Sequence, residues 1–304
     1  MNGLDQISLA SGVLLGSRKM GRKNIFQLVE ENYNIKTEIR NLFSLFFSEK
    51  YFTDNFLEFS FCELLDDYLF IDWKYRGTCL GVKDYLKRVN AIFDYARVGT
   101  DASEEIIINA LEGFDNFIKL YHDNSDSLYE KKHVTYYTSF AKIFCNNVFT
   151  LEKHMGLSRR EYKDRVVLYP KNATLEKVLN TITEDDIQWE LIRYERSGLT
   201  LSQKKKSLAF LATNLNIQQD KNEKDIQLNE LLKKSSNILN NLHIRHNNKS
   251  GKSKNEYIQR ISNTEQEQLC DMLFEMILNI CLIRDLKQYD ELYKKFETLQ
   301  KENK

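Results

Sequence analysis

The sequence predicts an all-α fold of two helical bundles, and three observations carry that expectation. Proline occurs once, at Pro170, and glycine only 11 times in 304 residues, so long stretches lack the two strongest helix breakers. Apolar side chains recur at three- and four-residue intervals through most of the chain, the spacing of one buried helix face. Hydrophobic residues make up 42% and charged residues 29%, with 18 Phe and 16 Tyr, which is bulk enough to fill a core. Because single cores stop growing near this length, the chain is divided into an amino-terminal helical module, residues 1–165, and a carboxy-terminal bundle, residues 166–304.

Taken in order, Asn24 to Asn34 and Ile35 to Glu49 read as two helices, the second with Ile39, Leu42, Phe43, Phe46 and Phe47 on one face. Asn55 to Phe70 is dense in aromatic and aliphatic residues and leads into Trp73, Tyr75 and Arg76, where the tryptophan reads as an anchor at the edge of the core. Val82 to Tyr95 forms the next amphipathic helix. Ser103 is placed to cap another, with Glu104 and Glu105 complementing the helix dipole. His122 to Ser127 (HDNSDS) reads as a turn cluster, followed by a long helix from Leu128 to Lys153 with Tyr136, Phe140, Phe144 and Val148 at four-residue spacing. His133 and His154 on that stretch have no ligand partners nearby and read as surface histidines.

Between Arg165 and Asn172 the periodicity breaks. Val166, Val167, Leu168 and Tyr169 run straight into Pro170, so residues 166–169 are expected to be extended, and the domain boundary is placed there. The second half then reads as consecutive helices: Leu175 to Ile182; Glu184 to Ser197, capped by Thr183 and ended by Gly198; Ser202 to Asn216; and Asp225 to Leu242. Lys204, Lys205 and Lys206 read as a solvated face. Thr264 with Glu267 three residues on fits a capping box before the apolar helix Leu269 to Leu286, and Tyr289 to Glu302 closes the chain as a charged helix.

Bulk charge restricts function. Lys plus Arg and Asp plus Glu number 44 each, so no global field draws in nucleic acid or an anionic membrane, and polyanion binding requires a local patch. The five cysteines, Cys62, Cys79, Cys145, Cys270 and Cys281, stand singly with no CxxC pair, which points to buried reduced thiols and a cytoplasmic protein. The amino terminus lacks the basic start and long apolar region of a signal peptide. The richest apolar segment, Leu269 to Leu286, is interrupted by five polar or charged residues, so no membrane association is expected. No zinc spacing, phosphate-binding glycine loop or serine nucleophile elbow occurs, and no metal or other cofactor is expected. The carboxylate pairs Asp66 with Asp67 and Asp185 with Asp186 read as helix-surface charges.

One stretch concentrates chemistry. In SSNILNNLHIRHNNKSG, residues 235–251, His243 and His246 flank Arg245, with Asn240, Asn241, Asn247 and Asn248 around them. A guanidinium offers a permanent planar fork for phosphate oxygens, and an imidazole takes or gives a proton near neutral pH. Together they suit metal-independent cleavage of RNA: a histidine removes the ribose 2′-hydroxyl proton, that oxygen attacks phosphorus, and the cation stabilises the developing charge. Asn247 or Asn241 is placed to orient an imidazole or to donate to the same phosphoryl oxygens, and Lys249, Lys252 and Lys254 to hold the RNA backbone.

NNLHIRHNN, in a polar loop between the penultimate and last long helices over roughly Thr183 to Leu286, resembles the Arg/His loops of the HEPN superfamily of prokaryotic abortive-infection and toxin ribonucleases. The resemblance implies a helical bundle, a role in antiviral defence, RNA as the partner, and a composite site shared by a homodimer or held by a partner protein of a defence system. In those families the His follows the Arg by four to six places, whereas here His246 adjoins Arg245; pairing Arg245 of one copy with His246 of another would bring the two groups together. A different reading stays open from the residues alone. Basic and asparagine residues at a helix C-terminus also serve as a cap, with Asp271 or Glu275 as counter-charges for Arg245, which makes the chain a non-catalytic helical adaptor or dimerisation module.

Overall fold

The computed structural model describes residues 33–54, 57–91, 103–132, 134–136, 139–196, 198–218, 223–242, 244 and 260–302. The expected helix Asn24 to Asn34 lies almost wholly outside these. The chain forms two compact units, Met1–Leu151 and Glu152–Lys304. It is mostly helical, but the all-α expectation needs correction: two small antiparallel sheets are present, one of three strands ordered β2-β1-β3 and one of two, β4-β5.

In the first unit, α1 (Ile35–Ser48) begins at Asn34, whose side chain accepts from the Thr37 amide, and buries Ile39, Leu42, Phe43 and Phe46 as the spacing predicted. Strands β1 (Lys50–Asp54) and β2 (Leu57–Ser60) form a hairpin, and β3 (Val134–Tyr136) pairs on the other side of β1, with Phe52 opposite Tyr136. The chain then turns into α2 (Phe61–Leu64), which continues as a π-helical segment, Leu65–Leu69, and a 3-10 turn, Phe70–Asp72. Phe46 meets the rings of Phe61, Phe114 and Phe144 at 5.5, 4.9 and 5.8 Å, so phenylalanines drawn from distant elements make up much of this core. Trp73 is 8% exposed against Phe70, Tyr85 and Phe117, the core-edge anchor expected of it.

Helix α3 (Val82–Arg88) is shorter than predicted: Asn90 adopts a left-handed φ of 55° and the Ala91 amide donates back to Leu86 O at 2.8 Å, closing the helix. Its first residue is held by Asp66, not a bystander surface charge, since the Val82 amide donates to Asp66 Oδ1 at 2.7 Å. A Cβ at Gly81 would lie 3.1 Å from that same oxygen, so glycine there lets the carboxylate approach.

Helix α4 (Glu104–Lys132) runs through the predicted HDNSDS turn. The stretch holds no proline or glycine, and its polar side chains bond to their own helix: Asn124 donates to Leu120 O and Ser125 to His122 O, while Leu128 is buried. The predicted helix from Leu128 to Lys153 is replaced by the end of α4, strand β3, a π-helical segment Phe140–Cys145 and α5 (Asn146–His154). Val134, Thr135 and Tyr136 are β-branched or aromatic, and an available edge of β1 outweighs their weak helix tendency.

In the second unit the extended stretch predicted at 166–169 is strand β5 (Arg165–Pro170), and the partner the sequence did not reveal is β4 (Leu157–Tyr162) just before it. Lys163 and Asp164, both at positive φ (47° and 65°), make the two-residue turn. Val167 and Tyr169 enter the helical core.

Around them lie α6 (Ala173–Thr181), α7 (Asp185–Glu195), α8 (Leu201–Asn214), α9 (Ile226–Asn241) and α10 (Asn263–Glu302), which unites the two predicted final helices over 40 residues. The N-terminus of α7 is Glu184 without a side-chain cap bond, and Thr183 instead donates to Glu184 Oε2. The capping box of α10 is Ser262 with Glu265, two residues before the predicted one: the Glu265 amide donates to Ser262 Oγ and the Ser262 amide to Glu265 Oε2.

Candidate functional site

Arg245, His246, His243 and Asn247, with Lys249, Lys252 and Lys254, all lie outside the described residues, and so does the approach of one to another. What the structure describes is the frame on either side. Helix α9 starts at Asp225, which accepts from the Leu228 amide at 2.9 Å, and buries Leu228, Leu232, Ser235 and Leu239. At its far end Leu242 is buried, and Ile244, 8% exposed, donates its amide to Leu239 O at 3.0 Å. The chain is therefore pinned to the core one residue before Arg245. The described residues resume at Arg260, just before the Ser262 cap of α10, and α9 packs against α10.

The outer face of α9 is polar. Glu230, Lys233, Lys234, Ser236, Asn237 and Asn240 line an open depression of about 690 Å³, and a second of about 290 Å³ adjoins it towards Asn229 and Glu223, sharing Glu230 and Lys233. Sequence reasoning took in Ser236, Asn237 and Asn240 with the Arg/His stretch but passed over Glu230, Lys233 and Lys234. The signal of this face was present, since residues 230, 233, 234, 237 and 240 recur at helical spacing as the complement of the buried stripe. Two ammonium groups and two side-chain amides supply donors suited to phosphate and base edges, on the helix that leads into the Arg/His segment.

Asp271, one of the counter-charges considered for Arg245, is already engaged. Lys204 Nζ contacts both its oxygens at 2.7 and 2.8 Å, and the Tyr194 hydroxyl donates to Oδ1 at 3.0 Å, tying α7, α8 and α10 together. Burial first, and then Asp271, raise the Tyr194 phenol, which stays protonated as a donor. Lys205 also has a partner, donating to Gln266 Oε1 at 2.7 Å, so two of the three lysines read as a solvated face are fastened to α10. Behind them the buried Glu190 accepts from Ser207 Oγ and, at 3.1 Å, from Arg193.

Asn172 joins α6 to α7. Its carbonyl oxygen accepts from the Thr174 and Leu175 amides, and its amide nitrogen donates to Glu195 Oε1 at 3.2 Å. The five cysteines are free, four of them buried; burial pushes Cys62 and Cys145 up to about 12 and Cys270 and Cys281 to about 11, too high for ready thiolate chemistry. Among the described residues no group of three or more His, Cys, Asp or Glu side chains is arranged to hold a metal ion, and no helix is long and apolar enough to cross a membrane.

Compared with known proteins, the chain matches no family model, no curated protein and no solved structure.

Proposed function

We propose that this chain is an antiviral, abortive-infection-like protein that binds RNA and cleaves it without a metal ion, using Arg245, His246, His243 and Asn247, with Lys249, Lys252 and Lys254 on the RNA backbone. The observation that supports the reading is the polar face of α9, whose depression lined by Lys233, Lys234, Asn237 and Asn240 runs along the helix that enters the Arg/His segment. RNA laid on that face would meet lysines first and the Arg/His cluster at the helix end.

In the reaction an imidazole takes the 2′-hydroxyl proton and the 2′-oxygen bonds to phosphorus. The bond to the 5′-oxygen breaks as that oxygen receives a proton, leaving a 2′,3′-cyclic phosphate and a free 5′-hydroxyl. Arg245 stabilises the charge on the phosphoryl oxygens.

Purified protein incubated with total RNA in chelator tests this. Cleavage should be lost in Arg245→Ala and in His246→Ala at unchanged melting temperature. Lys233→Glu with Lys234→Glu should weaken RNA retention and flatten its salt dependence by about one to two charges. RNA left intact and unretained by the unmodified protein would defeat the proposal. The adaptor reading has its own support in the Ile244-to-Leu239 bond, which closes α9 as a cap does. If the Arg/His segment serves only that closure, Arg245→Ala lowers the melting temperature and changes nothing else.

A further inference from the structure

Helix α10, about 60 Å long at ~1.5 Å per residue, is fastened to the other described residues of its unit over its first two thirds. Cys270, Leu273, Phe274, Ile277, Leu278 and Ile280 are buried there. Among the described residues the last ties are Arg284, which donates to Leu215 O at 2.6 Å and Asn216 O at 3.0 Å, and Lys287, which meets Glu223 at 2.6 Å. Beyond Lys287 the described side chains are exposed.

They are not uniformly polar. Leu286, Tyr289, Leu292, Tyr293 and Phe296 are 62, 61, 65, 61 and 53% exposed. Residues 286, 289, 293 and 296 follow the alternating three- and four-residue spacing of a coiled-coil seam, with Leu292 widening it on one side. The rest of the surface carries Asp285, Lys287, Asp290, Lys294 and Lys295. Both signs are mixed there, unlike the single-sign basic face of a helix that lies on an anionic membrane.

We infer that this stripe is the seam of an antiparallel helix pair formed with a second copy of the chain. The spacing is the same read from either end, so reversal sets Leu286 against Phe296 and Tyr289 against Tyr293 in both helices. Antiparallel overlap also joins the two distal ends while the anchored parts point away from each other. The five side chains expose roughly 600 Å² on each copy, so covering them fully sets an upper bound of about 1,200 Å² for the pair, the lower edge of a specific interface, with the tyrosine and phenylalanine enrichment such interfaces show. The formal net charge of zero leaves no long-range repulsion between copies. This assignment is argued without the RNA reading; because α9 runs antiparallel to α10, from Glu223 beside Lys287 to Ser235 beside Met276, such a pair keeps the two α9 C-terminal ends apart and does not itself bring Arg245 of one copy to His246 of the other.

Light scattering on the full chain as it elutes from a sizing column is the test. The intact protein is expected at twice its 36.0 kDa chain mass. Tyr289→Glu combined with Tyr293→Glu should return it to a single chain mass with unchanged circular dichroism. Orientation is read by mixing Tyr289→Cys and Tyr293→Cys proteins and oxidising them: disulfides between the two variants should exceed those within either. That readout also serves if the double glutamate variant fails to fold. A single chain mass at every concentration, a doubled mass that survives the glutamates, no excess of mixed disulfides, or a monomer that instead floats with phosphatidylglycerol vesicles would each overturn the assignment.

Discussion

Glu195 is a carboxyl group at odds with its surroundings. Burial raises its pKa above the ordinary 4.5, and Glu275 and Asp271 add to the effect, against the Asn172 hydrogen bond that lowers it. The folded state thus holds this proton to higher pH than the unfolded chain does, so the group's contribution to stability falls as pH rises above its unfolded value. Glu195→Gln keeps an oxygen for Asn172 and removes the charge. It should raise the melting temperature at pH 7, and the gain should vanish as pH falls below about 4.5, which a pair of thermal melts at the two pH values checks. Asp271 shows the opposite arrangement: with Lys204 and Tyr194 both on it, its charge is compensated where Glu195 has only an amide. The sequence marked Asp271 as a counter-charge, but which cation it serves depends on α8 lying across α10, and no local pattern shows that.

At the scale of elements, the hairpin β4–β5 places Lys163 and Asp164 in the left-handed region, where a residue with a Cβ costs roughly 1 kcal/mol and glycine does not. Asp164→Gly should therefore stabilise the protein by about 0.5–1 kcal/mol, measured by urea unfolding at unchanged slope. This turn was hidden in the sequence because Lys-Asp is not one of the Asn-Gly or Asp-Gly pairs that announce a hairpin. The strand after it was legible because Val166 to Tyr169 broke the helical period before a proline. Caps behaved similarly. Ser103 could be read from its neighbours, and its hydroxyl accepts from the Ile106 amide at 3.4 Å. At α10, Ser262 with Glu265 and Thr264 with Glu267 are equally good boxes on paper, and the one used lies beside the buried Gln266, whose amide also reaches Ile261 O.

At the scale of the whole chain, the core cluster of the second unit among the described residues runs from Tyr162 to Ile280, with partly buried neighbours as far as Ile283. A fragment of residues 152–304 should unfold in one cooperative transition. A fragment of 166–304, cut where the periodicity breaks, lacks β4 and leaves the buried backbone of β5 without its ladder partner. It should melt lower and over a broader range, as calorimetry of the two fragments would show.

The sequence by itself determined that the chain is mostly helical, which faces of α1, α6 and α9 are buried, that residues 166–169 are extended, and that the thiols are buried or partly so. Each of these follows from side-chain period, branching or hydrophobicity within a few residues. Only the tertiary structure decided that β1 finds β3 some 80 residues away, that Asp66 caps α3, that Lys204 closes on Asp271, and that the end of α10 carries its apolar stripe uncovered. Those depend on loop closure and on competition among distant partners, whose free energies are set by the packed whole and leave no mark in any one segment.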